Sequence, residues 1–105
     1  MTEKMKHYSS IMSTIIAGGY IGDRNGLKYL LNELPEEDVK VIHGIMYEGR
    51  ENNSDEPFED PEKELIATAE HHKDFTKENM ILNITNKSEQ ALRSYLEKGA
   101  KLFKL

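Results

Sequence analysis

Apolar residues recur every three or four positions along most of this chain, the period of a helix that buries one face. Tyr8, Ile11, Met12, Ile15 and Ile16 share a face of the segment from Lys4 to Ala17, while Lys4, Lys6, Ser9, Ser10 and Ser13 fill much of the remainder. Gly18-Gly19 ends this helix, because glycine readily takes the left-handed conformation past a helix terminus. Tyr20-Ile21 is placed to anchor the loop that follows, and Gly22-Asp23-Arg24-Asn25-Gly26 is turn chemistry. Leu27, Leu30, Leu31 and Leu34 then mark a short second helix.

Pro35 is expected to open a third helix, where its missing N–H costs nothing. Glu36, Glu37 and Asp38 lie in the first turn and favour the helix dipole. Val39, Ile42, Ile45 and Met46 form its apolar stripe, Gly49 is read as its stop, and the helix is taken as 35–48, the centre of the core. Residues 51–60 show no apolar period and read as a loop. Asp60-Pro61 is a capping aspartate followed by proline at the first helical position, so a fourth helix starts there and runs to His72 or Lys73. Thr76 caps a short fifth segment with Met80, Ile81 and Ile84. Ser88 caps a last helix carrying Leu92, Tyr95 and Leu96, with Gly99 read as its stop and Leu102, Phe103 and Leu105 as an apolar tail that packs back. Val39-Lys40-Val41 alternates too briefly for a strand. The expected fold is a single all-α domain over 1–105, a bundle of five or six short helices. Short helices are stable only through mutual burial, which suits a monomer or a homodimer sharing core surface.

Charge sharpens the picture. The formal net charge is −5, and nearly all of it falls in one place: residues 51–64 hold seven carboxylates and one lysine. Within it, Asp55-Glu56-Pro57-Phe58-Glu59-Asp60 sets one aromatic among carboxylates. The favoured local reading folds Phe58 onto the start of the fourth helix near Leu65 and leaves the acids solvated. The functional reading makes Asp55, Glu56, Phe58, Glu59 and Asp60 a docking motif, with Phe58 as anchor and the acids steering a basic protein partner.

Other chemistries lose ground. With no cysteine there is no disulfide framework, thiolate zinc site or cysteine nucleophile. The strongest apolar run, Ile15-Ile16-Ala17, is far too short for a membrane span. No secretion signal is legible, so a cytoplasmic protein of bacterial type is expected. Neither Asp23-Arg24-Asn25-Gly26 nor Asn53-Ser54-Asp55 has calcium-loop spacing. His71-His72, with Glu70 and Asp74, lacks the i, i+4 spacing of a helical zinc site and reads as an exposed helix end. His43 reads as a partly buried packing residue, and His7 carries no signal. Without a Gly-x-Ser-x-Gly elbow or a phosphate loop, no catalytic residue, metal or cofactor is expected. A nucleic-acid-associated regulator, possibly dimeric, is the alternative; its contact surface would be Arg93, Lys98, Lys101 and Lys104. Phosphate repulsion by Glu36, Glu37 and Asp38 weighs against a helix-turn-helix reading, and nucleic acid is the less favoured partner.

Leu34-Pro35-Glu36-Glu37-Asp38, Ile45-Met46-Tyr47-Glu48-Gly49-Arg50 and Tyr95-Leu96-Glu97-Lys98-Gly99 together resemble a small bacterial family, domain of unknown function 3775. The resemblance spans roughly residues 27–103 and implies an α-helical fold without bringing an activity. The chain departs from the family after Arg50, where an acidic insert replaces the more usual Gly-Asp. One physical expectation follows from these elements: Arg50, at a helix end, pairs with Glu97 on the last helix and ties the bundle.

Overall fold

The computed structural model describes residues 1–105. Six helices follow one another: α1 (Glu3–Ala17), α2 (Arg24–Glu33), α3 (Glu36–Glu51), α4 (Pro61–His71), α5 (Lys77–Thr85) and α6 (Glu89–Leu102). There is no strand, and the molecule is an all-α bundle. Four helices start where a side-chain oxygen accepts a backbone N–H of the first turn: Thr2 for α1, Asp60 for α4, Thr76 for α5 and Ser88 for α6. Asp23 does the same for α2, which therefore begins three residues before the apolar stripe at Leu27. α1 stops at Gly18, and Gly19 takes φ +83°, the left-handed turn expected there.

α3 is the hub. It packs against α6, α4 and α5, while α1 leans on α6 and α2 on α5. Ile42, Ile45 and Met46 are fully buried, and one continuous apolar core joins them to Met12, Ile15, Leu31, Leu65, Ile84 and Leu96. The tail packs back as expected: Leu102 and Phe103 are fully buried.

The two glycine stops are overturned. α3 runs through Gly49 to Glu51, and α6 runs through Gly99 to Leu102. These glycines are helix-crossing residues. A Cβ on Gly49 would sit 1.9 Å from the Tyr95 carbonyl oxygen and 2.8 Å from Gly99 N; one on Gly99 would sit 2.3 Å from the Ile45 carbonyl oxygen. Glycine is needed there because backbone meets backbone, not because the chain turns. Pro35 also shifts by one position, preceding the first helical residue of α3 as its cap. No helix is long and apolar enough to cross a membrane.

Candidate functional site

The acidic segment is laid along the C-terminal half of α6. Once Gly49 has crossed α6 beside Tyr95 and Gly99, the chain leaves α3 at Asn52, whose carbonyl accepts a hydrogen bond from Lys98 Nζ. Two side-chain turns follow, Ser54 N donating to Asn52 Oδ1 and Glu56 N to Ser54 Oγ. At Phe58 the backbone N–H donates to the Leu102 carbonyl at 2.9 Å, and the ring packs on Phe103 with centroids 4.9 Å apart. Phe58 thus folds inward, as the local reading held, but onto the end of α6. The sequence could not point to Phe103, because the apolar tail seemed to lie beyond a helix that stopped at Gly99.

This placement divides the proposed docking residues. Phe58 is half-buried and engaged, so it is not a free anchor. Asp55, Glu56, Glu59 and Asp60 are exposed, and none forms an ion pair. Of the seven carboxylates from 51 to 64 only Glu51 has a cationic partner, Arg50 Nε at 3.5 Å. Asp60 spends one oxygen on Lys63 N as the α4 cap. Glu3, Glu37, Asp38, Glu70 and Glu89, elsewhere in the molecule, are each within ion-pair distance of a basic side chain.

The Arg50–Glu97 tie is not formed. Arg50 turns to its neighbour Glu51 and lies over the Tyr47 ring, 5.8 Å from its centroid. The continued helix explains this: Arg50 is still inside α3, one turn past Tyr47, instead of leaving a helix end towards α6. Of the four C-terminal cations, Arg93 pairs with Glu89 and Lys98 holds Asn52.

Two polar clusters were not legible in the sequence. Asp38 is buried at the start of α3, accepts the Tyr8 hydroxyl at 3.1 Å and has His7 Nε2 at 3.2 Å from both its oxygens. Burial, followed by the Asp38 carboxylate, pushes the Tyr8 phenol well above its ordinary value, so it stays a donor.

The second cluster joins α3, α4 and α5. His43 is fully buried; its Nδ1 lies 2.6 Å from His72 Nδ1, and Asn83 Nδ2 is 3.2 Å from its Nε2. Tyr47, His72 and Phe75 surround its ring edge-on at 4.7 to 5.0 Å. Burial, then His72 and Lys87, pushes the His43 imidazole down to about 4. Burial, then His71, lowers His72 as well. His43 sits within an apolar stripe and was read correctly as packing, but its partner lies 29 residues on, at a helix end that reads as exposed. No local period connects the two.

Compared with protein-family models, curated proteins and solved structures, the chain matches none of them.

Proposed function

We propose that this protein is a non-enzymatic interaction module whose acidic loop, with the adjoining helix face, docks a protein partner bearing a lysine- and arginine-rich surface. One observation carries the reading: Asp55, Glu56, Glu59 and Asp60 are exposed and unpaired, on a loop clamped to α6 at Asn52 and Phe58. A clamped loop loses less conformational freedom on binding than a floppy one, and concentrated like charge raises the encounter rate with an opposite surface. Phe58 serves as the internal rivet of that loop. The non-enzymatic reading is supported by the histidine pair, whose facing nitrogens are spent on each other and on Asn83 instead of activating a hydroxyl.

Membership of the family called domain of unknown function 3775 is part of the same proposal. Its supporting observation is spatial. Gly49, from the first half of the resemblance, sits directly on Tyr95 and Gly99, from the second half. The residues that carry the likeness are the ones that let α3 and α6 touch.

The test is a titration of the chain with a lysine- and arginine-rich peptide at low and moderate salt, beside a variant carrying Asp55→Asn, Glu56→Gln, Glu59→Gln and Asp60→Asn. Asparagine at 60 keeps the α4 cap. The expected result is salt-sensitive binding that weakens at least about tenfold in the neutral variant. Equal binding by both chains contradicts the reading.

A further inference from the structure

Between Glu70 and Thr76 every residue is exposed except His72. Past the buried Thr68 and Ala69, the last residues of α4 and the turn after it are therefore held on the body of the molecule through one side chain, with Phe75 beside it. Phe75 is 40% exposed, stacks on His72 at 5.5 Å and touches His43 at 5.0 Å. The docking partner, His43, is wholly inside.

We propose that His43 and His72 form an acid-sensitive clasp, which holds the end of α4 and the Phe75 turn onto α3 and lets go when the pair takes up a further proton.

The hydrogen-bond arithmetic is the reason. Asn83 Nδ2 donates to His43 Nε2, so the one proton of neutral His43 sits on Nδ1. It is donated across 2.6 Å to the lone pair of His72 Nδ1, and the proton of neutral His72 sits on Nε2. Each lone pair of the two facing edges is in use. A further proton must land on His43 Nε2, where it meets the Asn83 amide hydrogens, or on His72 Nδ1, where two N–H groups oppose each other. The second site breaks the hydrogen bond between the two rings; the first breaks the Asn83 contact and leaves a charge on a wholly buried ring, which opening relieves by hydrating it.

The surroundings give that proton no welcome. From α3 the neighbours are Tyr47 and, acting on Lys87, Arg50. From α4 they are His72 and, beside it, His71; from α5 they are Asn83 and Lys87; from the turn, Phe75. All the charged members are cationic or become so. The nearby acids Glu70 and Asp74 act on Lys73, and Glu70 pairs with it at 3.0 Å. Opening the clasp returns both imidazoles to water, where histidine takes up a proton near 6.5. Acid therefore favours the open form. With closed His43 held down to about 4, lowering the pH from 7 to 5 raises the opening equilibrium about twentyfold through His43 alone. The neutral protein keeps α4 docked; the acidified one exposes Phe75 and the Tyr47 side of α3 while α6 stays in place.

NMR on the full chain tests this, following imidazole and backbone amide signals from pH 7.5 to 4.5 in the wild type and in His72→Gln. Glutamine leaves a carbonyl to accept from His43 and removes one titrating ring. The expected result is that the wild-type amides of residues 71–75 move towards unfolded positions between pH 6.5 and 4.5 while those of α6 do not, and that the step shrinks in His72→Gln. An identical step in the variant overturns the clasp. So does a wild-type His43 ring that takes up its proton near 6.5 with the 71–75 amides unmoved, a result that stands even if the variant fails to fold.

Discussion

α3 meets its neighbours in two different ways. Towards α6 it presents Ile45 and Gly49, one helical turn apart, and the closest approach is backbone on backbone. Towards α4 and α5 it presents His43, Gly44 and Tyr47, and the contact is made of side chains, several polar, the paired His43 and His72 among them. The first face has no atom that can yield, because carbonyl and amide positions are fixed by the helices themselves. The second can yield at a methyl group, a ring or a proton. One helix thus carries a rigid seam and an adjustable one, which is why opening at the α4 end need not unfold the bundle.

Small substitutions break this comparison in order of size. Gly49→Ala or Gly99→Ala drives a methyl group into backbone of the facing helix, and costs about 3 kcal/mol or more in denaturant unfolding, the upper end of overpacking penalties. No side-chain trimming rescues either. Acid acts next. His43 is held down to about 4 by burial, then His72 and Lys87, so the folded chain binds fewer protons than the unfolded one between pH 6.5 and 4. The stability this group contributes is complete above 6.5 and is lost as the pH falls towards 4, by up to about 1.4 kcal/mol per pH unit. Urea midpoints across that window check the slope, and His43→Leu flattens it.

Gly44→Ala ranks third. Its added Cβ meets only Thr68 Cγ2, at 2.2 Å, with the next atom at 3.4 Å. The cost is about 1–2 kcal/mol and is largely recovered by Thr68→Ser, which removes that methyl group. Failure of the rescue would make the α4 seam as rigid as the α6 seam. Smallest is the charge pair that does not form: Arg50→Ala loses an exposed contact worth at most about 1 kcal/mol, and a double-mutant cycle with Glu97→Gln shows coupling below about 0.3 kcal/mol.

The same contrast separates what was legible in the sequence from what was not. The helix starts were legible because capping is local: Asp60-Pro61, Thr76 and Ser88 each act on an amide within three residues. The helix stops at Gly49 and Gly99 were misread. A glycine that ends a helix and one that lets another helix approach look alike in one dimension, and only the partner backbone distinguishes them. The acidic loop was visible as composition, read as 51–60; Glu51 still belongs to α3, so the loop starts at Asn52. The use of Phe58 as a rivet was not visible, since Phe103 was read in a tail beyond the end of the last helix, with nothing to say which element it would pack against. His43 and His72 each received a sensible local reading, yet the 2.6 Å contact between them depends on α4 folding back over α3.

Amide hydrogen exchange on the unmodified chain, compared at pH 7 and pH 5 after correction for intrinsic rates, addresses the two seams in a single sample. The two-seam account predicts that Tyr95 to Ala100 keep the protection of global unfolding at both values, while Ala69 to His72 exchange at least about tenfold faster relative to them at pH 5. Parallel loss of protection in both helices would mean that α3 has one kind of interface and not two.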